Sequence, residues 1–315
     1  MRRKTMKKLI SLLVILTIVS TAFVACNNKK DDTPAQNDYS LAIGVVVTEN
    51  AAKAKVTETV ATIVTDADGK IVLCRLDCID YSVGYTDEGA LKTTAPTSKV
   101  TLGDKYKMDA GSWAEQGAAL ENHVKGKTQA EVTAIALDGG KATDAELKAS
   151  CSIDITDLLK AIDNAFKSAH KTTFKATAKD LKAGLSIVSS IKDSSKDESK
   201  NAKLTASFAA TVLSEGKVVA AILDTGDVEL KGITVAEESI SATSVAYDGT
   251  KREQGDDYPA MPAGTWYVQA DAYAKAAVGK TAEDIATLAA EGVAGCTINA
   301  TEYKAGIEAA VRSAR

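Results

Sequence analysis

Gly103-Asp104-Lys105-Tyr106-Lys107-Met108 and Gly255-Asp256-Asp257-Tyr258-Pro259-Ala260-Met261 are one phrase written twice, the second copy with a single inserted residue. Past the insertion the correspondence stays in step. Gly111, Trp113 and Gln116 meet Gly264, Trp266 and Gln269, and Gly126-Lys127-Thr128 meets Gly279-Lys280-Thr281. The chain has two tryptophans, and they fall at matching places. Upstream, Gly69-Lys70-Ile71-Val72 through Asp77 meets Gly216-Lys217-Val218-Val219 through Asp224. Downstream, Cys151-Ser152-Ile153-Asp154-Ile155-Thr156 meets Cys296-Thr297-Ile298-Asn299-Ala300-Thr301. Each ends in an apolar-periodic stretch, Leu158 to Phe166 and Tyr303 to Val311. Self-similarity on this scale predicts a repeated architecture. We read two homologous repeat domains, residues 39–166 and 181–315, joined by a Lys/Ser/Thr-rich linker at 167–180.

Inside a repeat the order is strands, then helices. Val60–Val64 and Ile71–Ile79 are rich in β-branched residues, and Asp68-Gly69 between them signals a hairpin. The second repeat offers Leu204–Leu213 and Val218–Leu223, preceded by a charged, solvated loop over Lys192–Lys200. Helices are expected over Ser112–Val124, Gln129–Leu137 and Ala145–Ala149. Thr128-x-x-Glu131 and Thr143-x-x-Glu146 read as the capping boxes that start the second and third. A short strand at Cys151–Asp154 is expected before the last helix. The fold class is therefore α+β, each repeat a small antiparallel sheet with helices packed on it.

The chain begins with Arg2, Arg3, Lys4, Lys7 and Lys8, then runs uncharged from Leu9 to Ala25. A basic end before an apolar segment is the signature of export. The run closes on Phe23-Val24-Ala25-Cys26, which resembles a lipobox. Residues 1–25 are thus expected to be a lipoprotein signal peptide, with acyl chains on Cys26 holding the mature chain on the outer face of the cell membrane. A plain signal peptide or an uncleaved anchor would share the apolar run. Residues 26–38 are polar, charged and interrupted by Pro34, and read as a flexible tether.

The formal net charge is −4, which argues against a nucleic-acid partner. Two histidines, His123 and His170, do not suggest a metal centre or a hydrolase triad, and no catalytic constellation is recognisable. Cys74 and Cys78 share a strand face but sit about 13 Å apart along it, too far to bond each other. A bridge from either to Cys151 and buried free thiols both remain open for Cys74, Cys78, Cys151 and Cys296. Gly126-Lys127-Thr128 and Gly279-Lys280-Thr281 lack the earlier glycine of a phosphate-binding loop, having Glu121 and Ala274 there, and read as a turn with a Thr cap. Asp66-x-Asp68-Gly69 lacks the later ligands of a calcium loop and reads as the hairpin turn. Trp113 and Trp266 are expected in the core, with stacking on a flat ligand as the functional alternative.

The Asp-Gly-Lys hairpin, Leu-Gly-Asp-x-Tyr-x-Met, Trp-x-x-Gln and Gly-Lys-Thr together resemble a module of PplA-like surface lipoproteins of Gram-positive bacteria, related to FMN-binding domains. The resemblance covers nearly all of the mature chain. It implies a carrier of covalent FMN in extracellular electron transfer, served by a flavin transferase and by membrane redox partners. In such relatives FMN phosphate is joined to a Thr in Ser-Gly-Ala-Thr just before a C-terminal helix. The matching places here are Asn299-Ala300-Thr301, which keeps Ala-Thr, and Asp154-Ile155-Thr156, which keeps Thr alone; neither has Ser-Gly. Thr301 and, after it, Thr156 are the expected attachment points. A Thr at that place would otherwise be a helix N-cap. The other class of reading is a non-enzymatic surface module that binds a ligand or a protein.

Overall fold

Strand β1 (Asn37–Asn50) carries two apolar sets. Tyr39, Leu41, Ile43 and Val45 point to one side, Ala42 and Val46 to the other, and both sides are buried. With β2 (Lys55–Thr65) and β3 (Ile71–Ser82) it forms an antiparallel sheet. In the computed structural model, which describes residues 35–84, 92, 94–108, 110–193, 201–236, 239–259, 261–289 and 291–315, two such sheets lie face to face. The expected signal peptide, Cys26 and the tether up to residue 34 are outside the described residues, as are residues 194–200 of the expected loop.

After a four-residue helical turn at Lys99–Leu102 come α1 (Trp113–His123), the short α2 (Gln129–Thr133) and α3 (Ala145–Ser150). Then come α4 (Thr156–Lys167) and a strand, β4 (Thr172–Ala176). The second half runs β5 (Lys182–Asp193), β6 (Ala202–Ser214), β7 (Lys217–Lys231), β8 (Ser244–Ala246), α5 (Trp266–Ala276), α6 (Ala282–Ala286) and α7 (Thr301–Ser313). The sheet orders are β3-β2-β1-β4 and β8-β7-β6-β5. One face of each sheet meets the other sheet: Leu41, Ile43 and Val60 share a core with Leu185, Phe208 and Ile222. The opposite faces hold the helices, Ala61, Ile63 and Leu76 against α1 and α4, and Ala209, Ala221 and Leu223 against α5 and α7. The protein is α+β, with antiparallel sheets as expected, stacked as helix, sheet, sheet, helix.

Several local readings change. Residues 172–176, expected within a linker, form β4 and pair with β1 from Asn37↔Ala176 to Leu41↔Thr172. That pairing covers an edge of β1 whose backbone groups would otherwise lack partners, and it draws Asn37 and Asp38 out of the expected tether. Helix α2 stops at Thr133, and Leu137-Asp138 turns back on Lys141-Ala142 through Gly139 and Gly140, both at positive φ. The third helix is capped by Asp144, whose Oδ1 accepts from the Leu147 amide at 2.9 Å, and not by Thr143. Cys151–Asp154 is not a strand.

Other readings hold, and for visible reasons. Thr128 and Glu131 form the expected capping box. The Asp66 carboxylate accepts from the Asp68 and Lys70 amides at 3.0 and 2.8 Å and so shapes the hairpin turn. The Gly-Lys-Thr turns extend the sheets: the Ile71 amide donates to Lys127 O and the Gly126 amide to Ile71 O. Val218, Lys280 and Gly279 repeat this arrangement. Gly126 and Gly279 lie at φ +76° and +83°, so their recurrence marks a backbone shape and not a phosphate cradle.

A buried ionic cluster ties the C-terminus to the first sheet. Arg75 donates to Glu121 Oε2 at 2.9 Å, to the Ala183 and Cys74 carbonyls at 2.8 Å, and to the Arg315 carbonyl. Glu121 Oε1 also accepts from the Leu76 amide at 2.9 Å, and its Oε2 from Arg315. Removing one member of a buried pair strands the other. Glu121→Ala is therefore expected to cost about 3 kcal/mol in denaturant unfolding. A loss below about 0.5 kcal/mol, the scale of an exposed pair, would show that the carboxylate is dispensable.

Candidate functional site

The recurrent Trp-x-x-Gln has a structural task. Gln116, wholly buried, donates to Gly111 O at 3.1 Å and accepts from the Ser152 amide and hydroxyl at 2.8 and 3.1 Å. Gln269 does the same with Gly264 O at 3.0 Å and with the Thr297 amide and hydroxyl, both at 2.8 Å. In each half one side chain fixes the segment that leads into the last helix. Trp113 and Trp266, each starting its helix, are buried as expected.

The next residues decide what the expected attachment points can do. Asp154 Oδ1 accepts from the Thr156 amide at 2.9 Å, and Asn299 Oδ1 from the Thr301 amide at 3.0 Å. The capping work expected of the threonines is thus done two residues earlier. Thr156 and Thr301 are the first residues of α4 and α7, and both are exposed. Among the described residues the Thr156 hydroxyl makes no hydrogen bond.

Thr156 stands on the rim of a cleft of about 380 Å³. Thr57, Thr59 and Cys78 from β2 and β3 form its floor, Trp113 and Lys99 one side, and Asp154, Asp157 and Leu158 the other. Lys99 Nζ lies 3.2 Å from Asp80 and over the rings of Tyr106 and Trp113, 5.2 and 5.9 Å from their centroids. Burial disfavours the Lys99 charge, but its neighbours, with the Asp80 carboxylate among them, outweigh it and raise its pKa. Burial also opposes ionisation of Asp80, yet the Thr57 hydroxyl at 2.7 Å and Lys99 hold its carboxyl below the ordinary value. Burial pushes Cys78 up to about 11, so it presents a neutral thiol to the cleft. A cation held against an aromatic face gains further attraction.

No family model, curated protein or solved structure matches the chain.

The second half repeats the polar frame. Lys251 lies over Tyr258 and Trp266 at 5.4 and 5.6 Å, 3.8 Å from Asp227, which accepts from Thr205 at 2.7 Å. Asp77 Oδ1 accepts from the Cys78 and Val100 amides, and Asp224 Oδ1 from those of Thr225 and Arg252. The two threonines are not brought together, since each belongs to its own half. Beside Thr301, Glu302 and Tyr303 reach back to Ser207 and Thr225, at 3.2 and 2.8 Å.

Sequence reasoning missed Lys99 and Asp157 as parts of the site. Lys99 carried a signal, because Ser98-Lys99 recurs as Thr250-Lys251 ahead of each Gly-Asp phrase. Cys74, Cys78 and Cys151 are buried free thiols, the second of the two readings left open, and Cys296 is free but only half-buried. His123 and His170 are half-buried near the surface, and His170 lies against the Tyr267 ring at 4.3 Å. Among the described residues no group of His, Cys, Asp or Glu is arranged to hold a metal.

Proposed function

We propose that the chain is exported, lipidated on Cys26 and held at the outer face of the cell membrane, where it carries covalent FMN in extracellular electron transfer. Thr156 is the attachment point favoured over Thr301. Both threonines are exposed with hydroxyls free of hydrogen bonds among the described residues; the observation that carries this choice is the cleft beside Trp113 and Lys99, which Thr156 lines. The residues fit the group in three respects. The hydroxyl is open to a transferase. A phosphodiester on it would lie at the N-terminus of a helix of 12 residues, where the backbone dipole favours negative charge. The cleft has an aromatic wall and a volume within the range of small-molecule sites. The flavin would supply the electron chemistry, and the protein its tether, position and surroundings.

A second reading has its own support. Asp154 and Asp157 line the cleft across from Lys99, whose ammonium already lies 3.2 Å from Asp80, a charge balance that disfavours phosphate. This favours a surface module that binds a ligand without a covalent bond.

The two part in a co-expression experiment. The mature lipoprotein, exported together with an active flavin transferase, is purified for intact mass and visible absorbance. A yellow product carrying one FMN-sized adduct, absent from Thr156→Ala, is expected. A colourless, unmodified chain beside a flavinylated control protein would leave the non-covalent module as the function.

A further inference from the structure

The two halves share a polar frame but differ in what stands inside it. In the second half Tyr303 occupies the position that Leu158 holds in the first, and Glu302 that of Asp157. The Tyr303 ring meets Trp266 edge to face, with centroids 5.8 Å apart and an interplanar angle of 64°. Its hydroxyl is 2.8 Å from Thr225 Oγ1, and it is 7% exposed. Glu302 accepts from Ser207 at 3.2 Å. A ring against a tryptophan with a hydrogen-bonding atom at its far edge is how a protein holds an aromatic ligand. Here the ring belongs to the chain.

In the first half these two groups are gone. Leu158 has neither ring nor hydroxyl. Asp157 accepts from Thr48 at 2.8 Å and not from Thr59. Thr59, in the place of Ser207, has the Cys78 sulfur at 3.7 Å as its partner, and Cys78 stands in the place of Thr225. Trp113, Thr59, Cys78 and Leu158 all line the cleft.

We infer that Tyr303 is a built-in occupant of the second site, and that the first site takes an external aromatic ligand in its stead. That ligand is a flat ring beside Trp113 with a hydrogen-bonding edge toward Thr59 and Cys78. The second part rests on the reading of the first cleft as a ligand site, and an isoalloxazine, with carbonyl oxygens and an N–H on its rim, belongs to the class. The first part concerns only the second half and stands apart from flavin. The halves are then functionally unequal, one open and one closed by its own side chain.

Two probes separate the parts, each used on the mature lipidated chain in detergent, made without a flavin transferase so that Thr156 is unmodified. The first is 4-methylphenol, the tyrosine side chain itself. Tyr303→Ala should melt below the parent chain, and millimolar 4-methylphenol should raise its midpoint by several degrees more than it raises the parent's. Tyr303→Phe, which keeps the ring, should show no such rescue. The second probe is riboflavin, followed by fluorescence quenching in backgrounds with a single tryptophan, Trp266→Phe to report on Trp113 and Trp113→Phe to report on Trp266. The parent chain should bind one equivalent, quenching Trp113. Leu158→Tyr should weaken that binding at least tenfold without lowering the melting midpoint, and Tyr303→Leu should add a second equivalent that quenches Trp266. Rescue by 4-methylphenol with no riboflavin bound to the parent would support the built-in occupant and overturn flavin as the ligand of the first site. Should Tyr303→Ala gain no more from 4-methylphenol than the parent, and Tyr303→Leu gain no second equivalent, the occupant role is wrong whatever the first cleft binds.

Discussion

Gly184→Val is expected to undock α7 from the second sheet. A β-carbon on Gly184 would overlap the Ala310 carbonyl oxygen and lie 2.6 Å from its carbon. Both are backbone atoms, so no side-chain rotation relieves the clash. Gly44 meets α4 in the same way, with an added β-carbon 2.8 Å from the Asn164 carbonyl carbon and overlapping backbone atoms of Ala161 and Ala165. In each half, then, the last helix lies directly on the strand backbone because that residue has no side chain. Moving the helix outward uncovers Ile307, Ala310 and Val311. The expected loss is about 4 kcal/mol or more, at the top of the range for single substitutions. Chemical denaturation monitored by circular dichroism measures it. A midpoint within error of the parent chain would mean that the helices are not packed as described.

Glu58→Gln is expected to do the opposite, and only above a certain pH. Glu58 is fully buried between the sheets, its carboxyl oxygens have no hydrogen-bond partner among the described residues, and it faces Gly226. Burial first, then the Asp227 charge, raises its pKa from 4.5 to about 8. The folded chain therefore keeps a proton that the unfolded chain gives up above 4.5. Folding is favoured fully below 4.5, and the contribution is lost as pH rises to 8. A shift of that size corresponds to about 5 kcal/mol. Asp77 and Asp224, pushed up to about 6 by burial, add slopes of the same sign between 3.8 and 6. The amide cannot ionise, so Glu58→Gln should match the parent near pH 4 and exceed it by a few kcal/mol at pH 9. Urea midpoints across that range would reveal it. Parallel curves for the two proteins would show that Glu58 is not the buried acid.

Much of this arrangement could be read from residues, and the exceptions have physical causes. The hairpins announced themselves through Asp68-Gly69 and the β-branched runs beside it. The start of α2 was marked by Thr128 and its partner three residues on, whereas Thr143-x-x-Glu146 pointed one residue short of the actual cap, Asp144. The first strand of each half, β1 and β5, gave no such signal. Ala42, Ile43, Gly44, Val45 and Val46 form a nearly continuous apolar run, because one side faces a helix and the other the second sheet. A strand buried on both sides loses the alternation by which strands are recognised. The joint core was hidden for the same reason, since a repeat suggests two bodies and says nothing of the face they share.

The site was legible in part. The repeat singled out Trp113 and Trp266, whereas Thr301 and Thr156 were nominated by the resemblance to flavin-bearing modules. The repeat could not show which half was open. That depends on Leu158 against Tyr303, an ordinary core substitution in the sequence, and on Asp157 turning to Thr48 while Glu302 turns to Ser207. Ranking Thr301 first followed from its Ala-Thr pair. The geometry that favours Thr156 lies in side chains that no motif describes.

The most direct measurement is peptide mapping by mass spectrometry of the chain exported in the presence of a flavin transferase. The account predicts one FMN-bearing peptide, spanning 156, with fragment ions that place the adduct on Thr156 and leave the peptide spanning 301 unmodified. An adduct on Thr301 alone, or on neither threonine while a control protein is flavinylated, would contradict it.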